Sequence, residues 1–451
     1  MTRMIRLSVA AAALSCTIAT PVFAQEVSVS ADELAAMRAQ LAAMNARIDQ
    51  LESELEAAKQ VNETQSTMIA AAAESSANAK VASEAAPVGE LAKSDGWSFK
   101  PRGRLQYDAG FVVAPDSTGR EDGFGNDVRR ARLGASGDLP GGFGYKFEVD
   151  FANSDVAVTD AIISYGTGDV EVSIGQFNNF QSLEELTSSL HTSFIERAAF
   201  TDAFGFVRRV GIGVEYAPGD VLLQAGVFSD NMDDLPNDSW SADGRVVYMP
   251  KIGNTQLHLG ASAHYRELEE GGTVRYRQRP LVAFTSERFI NTDTFEASSE
   301  TSYGLEGAMV SGPFHAAAEG YWRKVATPVV PADPTFFGGY VEIGYFLTQG
   351  DTRGYKGGTF DRTKPENPVG EGGLGSLQIN ARYDRLDLTD AGIVGGSQDG
   401  YYLSLVWKPT DYVMLLANYG KLDYSNAFYP TDSGDRSYSV DVIGLRGQVD
   451  F

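Results

Sequence analysis

The sequence predicts an all-β protein: a 16-stranded antiparallel transmembrane β-barrel over residues 97–451, preceded by an N-terminal periplasmic coiled-coil helix. From residue 97 onward, apolar and polar residues alternate, as in strands with one lipid-facing side and one water-facing side. After residue 24, nothing approaches the about 18 continuous apolar residues that a membrane-spanning helix needs. Short links between the candidate strands alternate with longer ones, which is typical of outer-membrane barrels.

Residues 1–24 are expected to be a signal peptide, because Arg3 and Arg6 precede an apolar stretch that leads to Val22-Phe23-Ala24. Cleavage there would remove Cys16, the single cysteine of the chain, and would exclude disulfides and all thiol chemistry. Lipoprotein processing at Cys16 is the alternative. Without the two basic residues of this segment, 35 basic and 60 acidic residues give a net charge of −25, which argues against a nucleic-acid partner.

Residues 25–70 are predicted to form a coiled-coil stem in the periplasm. Apolar residues recur between Leu34 and Leu55 with alternating steps of 3 and 4, as in a heptad seam. One amphipathic helix packed on a globular domain is the alternative interpretation. Residues 71–96, which contain Pro87 and Gly89, are predicted to be a linker.

The barrel domain is predicted over residues 97–451, with alternation clearest between Phe143 and Phe151. A soluble β-sandwich would alternate in a similar way, but with fewer aromatic residues on its apolar face. Sixteen strands are predicted to begin near residues 99, 128, 142, 156, 170, 206, 221, 241, 255, 298, 314, 337, 374, 400, 411 and 437.

The lengths of the links predict which end of the barrel faces the periplasm. Short links follow even-numbered strands at Leu139 to Gly142, Gly166 to Asp169, Pro218 to Asp220, Pro250 to Asn254, Ser311 to Pro313 and Pro409 to Asp411. The connection from Gln349 to Gly373 also follows an even-numbered strand but is long, so it is predicted to be an unusual periplasmic segment or partly strand. The last strand ends in Phe451, and a terminal aromatic residue is typical of such barrels.

Several segments resemble a known family of outer-membrane proteins, the phosphate-selective porin O and P family. They are Gly175 to Phe177, Ser182 to Ser189, Phe194 to Arg197, Gly339 to Thr348, Arg353 to Lys356 and Ala381 to Leu388. The resemblance implies a trimeric channel with an inward-folded third loop. Residues 178–205 contain no lysine that could correspond to the family's binding lysine, so His191 and Arg197 are the candidates for positive charge in this loop.

A lumen enclosed by sixteen strands is too wide for side chains to fill, so we expect water inside and selectivity at a constriction. Inward-facing basic residues are predicted to line the pore and attract anions: Arg102, Arg104, Arg130, Arg132, Lys146 and Arg382. The connection after the fifth strand is predicted to form the constriction through Asn178, Glu184, Glu185, His191, Glu196 and Arg197. Two alternatives remain open: a mobile external loop, and wall arginines neutralised by neighbouring carboxylates.

These patterns predict an outer-membrane porin for passive diffusion of small solutes, anions such as phosphate among them. The alternative function is a general or weakly selective porin whose stem tethers the envelope to the cell wall. The four histidines form no pattern typical of a hydrolase, so we expect no enzyme activity, cofactor or metal site. The expected partners are two further copies of the chain, outer-membrane lipid with lipopolysaccharide, and the permeating ions or small molecules.

Overall fold

The computed structural model describes residues 92–94, 96–152, 156–234 and 238–451. The predicted signal peptide and coiled-coil stem lie outside the described residues, together with most of the predicted linker. Within the described residues, no helix has the length and apolar character needed to cross a membrane.

Sixteen strands of the described chain form one antiparallel sheet that closes on itself. Each strand pairs with its neighbours in sequence, and the last strand pairs with the first from Arg104 opposite Asp450 to Val113 opposite Asp441. This confirms the predicted barrel and its strand number. The strands are β1 Trp97–Val113, β2 Gly123–Leu139, β3 Phe143–Asp150, β4 Ala157–Thr167, β5 Val170–Asn178, β6 Arg208–Tyr216, β7 Val221–Phe228, β8 Trp240–Tyr248, β9 Thr255–Glu267, β10 Ser299–Ser311, β11 Phe314–Ala326, β12 Thr335–Phe346, β13 Ser376–Asp390, β14 Ile393–Thr410, β15 Val413–Ser425 and β16 Tyr438–Asp450.

Shorter elements accompany the barrel. Two strands extend its margins, Ala92–Ser94 against β1 and Lys251–Ile252 against β9. Within the described residues, the connections contain two short α-helices, α1 Leu183–Leu186 and α2 Ala199–Ala203, and one 3-10 turn, Asp116–Thr118. They also contain three small antiparallel pairs: Thr273–Val274 with Phe295–Glu296, Arg277–Gln278 with Ile290–Asn291, and Gly354–Lys356 with Thr359–Asp361.

The outer surface of the barrel is apolar, as the alternation predicted. On β14, Tyr401, Leu403 and Leu405 are about half exposed, whereas Tyr402 and Ser404 between them are buried. At the seam, Gly103 and Phe451 exchange two backbone hydrogen bonds of 3.1 and 3.0 Å. The Phe451 ring covers Gly103 so closely that a Cβ there would lie 2.2 Å from it. The terminal aromatic residue therefore completes the closure of the sheet.

The six predicted short links all lie at the end of the barrel where β1 begins and β16 ends, so their common placement is confirmed. The predicted starts of two strands were too late: β2 begins at Gly123 instead of 128, and β14 begins at Ile393 instead of 400. β13 and β14 are joined by a tight turn in which Ala391 and Gly392 both have positive φ, 51° and 99°. Such a turn matches the twist of paired strands, so the two strands pair up to it.

The lumen is filled on one side, because connections between the strands fold into it, as was predicted for the connection after the fifth strand. Three connections enter it: residues 179–207 after β5, residues 268–298 after β9, and residues 347–375 after β12. Their apolar side chains, including Leu183, Phe194, Phe200 and Val282, are buried against inward-facing aromatic residues of the wall such as Tyr321. Space for solutes therefore lies towards the other side of the barrel.

A charge on the lipid-facing belt should destabilise the barrel, because nothing in hydrocarbon solvates it. We expect Leu405→Arg, near the middle of β14 between Tyr401 and Trp407, to lower the free energy of unfolding by about 2–4 kcal/mol. The matched control is Ser425→Arg at the exposed far end of β15, with an expected loss of about 0–1 kcal/mol. Urea unfolding in lipid vesicles measures both values, and equal losses would contradict a lipid-facing Leu405.

Candidate functional site

Residues 179–207, called here the constriction loop, are fixed inside the barrel by hydrogen bonds from backbone N–H groups to wall side chains. The N–H groups of Leu183 and Glu184, at the start of α1, donate to the Glu319 carboxylate on β11 at 3.0 and 2.7 Å. The N–H of Ala199, at the start of α2, donates to Asp384 on β13 at 2.7 Å. The two wall carboxylates therefore accept hydrogen bonds from N–H groups that have no acceptor within their own helix.

Apolar contacts hold the same loop against the wall. Phe194 and Leu183 are fully buried, and the Phe200 ring stacks on Tyr321 with centroids 5.1 Å apart. Phe180 packs in a separate small cluster with Phe177 and Phe228. The loop is therefore folded into the lumen. The alternative interpretation, a mobile external loop, does not describe it.

Arg382 is not a pore-lining residue, which corrects its prediction. Its guanidinium donates to Glu184 and to Glu342 at 2.7 Å each, and lies 4.5 Å from the centre of the Phe194 ring. The side chain is buried between the constriction loop and the wall. Arg382 and Glu184 therefore anchor the loop and do not face the solute path.

Residues 347–375, called here the return segment, enter the lumen from the end with the short links. Arg353 donates to Glu342 at 3.0 Å and, within the constriction loop, to the Ser193 hydroxyl at 2.6 Å and the His191 carbonyl at 3.1 Å. The Phe360 ring lies 3.7 Å from the Arg353 guanidinium. The segment from Gln349 to Gly373, which was predicted to be unusual, is thus partly strand and lies at the predicted end of the barrel. It contacts the constriction loop from the end with the short links.

Within the described residues, four compartments remain open beside the filled side. An outer vestibule of about 470 Å³ and an outer compartment of about 380 Å³ lie towards the long loops. An inner compartment of about 280 Å³ and a lower compartment of about 430 Å³ follow towards the end with the short links. Neighbouring compartments share lining residues, for example Arg279, Arg208 and Arg104 in turn, so the four follow one another along the lumen.

The inner compartment carries an excess of positive charge. Its lining contains six cations and two carboxylates: Arg104, Arg130, Arg132, Lys146, Arg197 and Arg208, with Asp160 and Glu185. Two further carboxylates, Glu148 and Asp150, pair with Arg104 and Arg132 outside this lining, so six cations minus four carboxylates still leave two positive charges. The lining and its paired carboxylates therefore carry a net positive charge.

The predicted wall residues differ in how much of their charge is compensated. Arg104 donates to Ser189 at 2.9 Å as well as to Glu148, and Arg130 donates to the neutral side chain of Gln106 at 2.9 Å. Lys146 lies 2.6 Å from Asp160. Arg102 is exposed in the lower compartment. All four lie along the path, as does Arg132.

The constriction loop contributes charges of both signs to the path. Glu196 accepts two hydrogen bonds from Arg129, at 2.6 and 3.0 Å. Although burial alone would raise its pKa, Arg129 outweighs this effect and lowers the pKa of Glu196 well below its usual range. Burial raises the pKa of Glu185, while Arg197 acts in the opposite direction. Asn178 lines the inner compartment at the end of β5.

The family model described as phosphate-selective porin O and P matches residues 99–451. The chain belongs to this family. A Caulobacter vibrioides protein described as uncharacterized is 49% identical over 78% of this chain and 74% of its own length. Porin O of Pseudomonas aeruginosa is 28% identical over 74% of this chain and 84% of its own length. The protein is therefore an outer-membrane porin, and its barrel encloses a channel.

Solved structures show the same fold at low sequence identity. The trimer form of OmpT from Vibrio cholerae superposes with a TM-score of 0.53 at 13% identity, over 79% of this chain and all of that one. The anion-selective porin from Comamonas acidovorans gives a TM-score of 0.50 at 12% identity, again over 79% of this chain and all of that one.

Sequence reasoning missed most basic residues of the outer vestibule of this porin. The vestibule is lined by seven arginines and four carboxylates: Arg209, Arg266, Arg275, Arg277, Arg279, Arg288 and Arg323, with Asp202, Asp230, Asp234 and Glu300. Arg275, Arg277 and Arg279 follow one another with a period of two, which was a detectable signal. They lie in the connection after β9, where the sequence pattern predicted no strand.

Loss of Arg382 should destabilise the porin strongly, because Glu184 would stay buried without a counter-charge and Glu342 would lose one of its two arginine partners. We expect Arg382→Ala to lower the free energy of unfolding by about 3–5 kcal/mol. The matched control is Arg102→Ala in the lower compartment, where an exposed side chain should contribute within about 0.5 kcal/mol. Urea unfolding in vesicles compares the two, and a small loss for Arg382→Ala would contradict its anchoring role.

His191 should carry no charge at neutral or mildly acidic pH, so it does not supply the positive charge considered for this loop. Burial, together with Lys408 and Arg362, lowers the pKa of His191 to about 3. We therefore expect the conductance ratio of wild type to His191→Gln to stay constant between about pH 5 and pH 8. An inflection at about pH 6.5 in the conductance of wild type, absent from the variant, would show that the His191 imidazole has its ordinary pKa.

Proposed function

We propose that this porin is a passive channel for small inorganic anions, phosphate among them, and that it works as a homotrimer. The observation that carries the proposal is the excess of cations in the inner compartment, where Arg104, Arg130 and Arg208 face the path. Guanidinium groups keep their charge at every physiological pH and offer several donors to one oxyanion. Fixed charge at the narrow part of a wet pore biases which ions pass.

The arrangement supports a stepwise passage without an energy source. An anion meets first the arginines of the outer vestibule, then the shared residues Arg130 and Arg208, and finally Lys100, Arg102 and Arg362 of the lower compartment. Each step exchanges one set of cationic donors for the next, so an anion is not left unpaired in the narrow part. The concentration gradient sets the direction of net flow.

The preference among anions is the finer part of the proposal. Family membership favours phosphate, and the loop hydroxyl of Ser189, held 2.9 Å from Arg104, adds a donor suited to an oxyanion. The acidic side chains of the outer compartment, Glu185, Glu196, Asp202 and Asp233, favour the alternative of a weakly selective porin. A tethering role of residues 25–70 lies outside the described residues and stays a prediction.

A trimer is proposed because OmpT of Vibrio cholerae, which has the same fold, has a trimer form. The apolar outer surface supports this proposal, since it can pack against a second copy as well as against lipid. The polar heads of lipopolysaccharide are the expected neighbours of the charged residues at the external rim, such as Arg385 and Lys421.

Selectivity can be measured directly in planar bilayers. We expect a KCl gradient to give a zero-current potential of the sign for anion preference, and Arg208→Gln to lower the anion-to-cation permeability ratio about threefold or more. The matched control is Arg385→Gln on the outer face of β13, whose charge lies outside the lumen and should leave the ratio unchanged.

Added phosphate should reduce the chloride current at millimolar concentrations if the two anions share the path. A cation-selective wild type would overturn the proposed function, and an unchanged chloride current in phosphate would leave the weakly selective alternative.

A further inference from the structure

Arg130 has different surroundings from the other cations of the inner compartment. Five of the six cations lie 3.4 Å or less from a carboxylate oxygen: Arg104, Arg132, Lys146, Arg197 and Arg208. In the described part of the chain, no carboxylate forms an ion pair with Arg130. Its guanidinium donates instead to the side-chain oxygen of Gln106 at 2.9 Å. The partner of this arginine is therefore an uncharged amide.

A bulge in β2 brings Arg130 to this amide. Gln106 on β1 lies opposite Arg130, and Tyr107 lies opposite Val128, so Arg129 is an extra residue in β2. Such a bulge changes the direction in which the side chains point. Both arginines consequently line the outer compartment, and Arg130 lines the inner compartment as well.

The Gln106 amide is fixed in the orientation that directs its oxygen at Arg130. Its NH2 group donates to Gln448 Oε1 at 2.6 Å, across the seam between β1 and β16, and to the Ser189 carbonyl of the constriction loop at 2.9 Å. Gln448 in turn donates to the Leu190 carbonyl at 3.3 Å. A reversed amide would lose both bonds and direct its own donors at the guanidinium. The Gln106 side chain is also fully buried, so its oxygen stays in place.

An amide oxygen orients a guanidinium group without adding a negative charge. A carboxylate at the same position would hold Arg130 equally well, but its charge would oppose that of the guanidinium in the narrow part of the lumen. Gln106 therefore fixes the direction of this side chain and leaves its full charge to act on solutes.

We propose that Gln106 is a positioning residue for anion selectivity. Its amide, fixed by Gln448 and by the Ser189 carbonyl, holds the uncompensated charge of Arg130 beside the path. Charge that is fixed in the narrow part of a wet pore determines which ions pass more readily than charge that moves away from it. The inference rests on the proposed function, since it assumes that anions use this path.

The test measures the zero-current potential of planar bilayers in a KCl gradient for wild type, Gln106→Met and Gln106→Leu. Neither substitution changes a charge, but both remove the acceptor of Arg130. We expect the anion-to-cation permeability ratio to fall about twofold or more in both variants, because the guanidinium is no longer held beside the path. Gln224→Met is the matched control, since Gln224 accepts a hydrogen bond from Arg245, whose charge is compensated by Glu306. This control should keep the wild-type ratio.

A second measurement determines whether Gln106 acts through Arg130. The substitution Arg130→Gln should by itself lower the ratio about threefold or more, because it removes a fixed charge. Adding Gln106→Met to Arg130→Gln should change the ratio no further, because no guanidinium remains to be positioned. Bilayer currents come only from channels that have folded and inserted, so a lower yield of one variant does not alter these ratios.

The outcomes that overturn the inference can be told apart from failure of the proposed function. If wild type is anion-selective but both Gln106 variants keep its ratio, only this inference fails. The same holds if Arg130→Gln keeps the wild-type ratio, or if Gln106→Met lowers the ratio equally with and without Arg130. If wild type is cation-selective, the proposed function fails and the inference fails with it.

Discussion

The position of the constriction loop depends on two wall carboxylates that bind backbone N–H groups. Glu319 and Asp384 hold the starts of α1 and α2 against β11 and β13. Buried carboxylates and buried N–H groups are both costly when they lack partners, so each satisfies the other. The loop is thereby fixed to one side of the barrel, and the open path follows the remaining wall.

Arginine side chains have different surroundings on the two sides of the lumen. On the filled side, Arg245 lies 2.7 Å from Glu306, and Arg382 is bound by two carboxylates, so their charges are compensated within the wall. On the open side, Arg130 donates to the neutral Gln106, and its charge is left for the path. Carboxylates thus pair with arginines on both sides of the lumen, but around the inner compartment on the open side the cations exceed the carboxylates by two.

The sequence predicted the barrel well because each of its strands repeats a local pattern. Period-two alternation and short links after even-numbered strands depend on neighbours along the chain, and they gave all sixteen strands. Local patterns say nothing about which inward residue meets a carboxylate from another strand. Arg132 and Arg382 look alike in the sequence, but the constriction loop brings Glu184 to Arg382 and leaves Arg132 beside the inner compartment. The return segment was recognised as unusual, whereas its contacts with His191 and Ser193 span about 160 residues and could not be predicted from local patterns.

The proposed anion path follows the wall formed by β1 to β6, while the starts of α1 and α2 in the constriction loop are anchored on β11 and β13. A crystal of the porin soaked in bromide would test it most directly, because anomalous scattering locates each bound anion. We expect bromide peaks in the inner compartment beside Arg104, Arg130 and Arg208. Peaks confined to the side of β10 to β14, with the inner compartment empty, would contradict it.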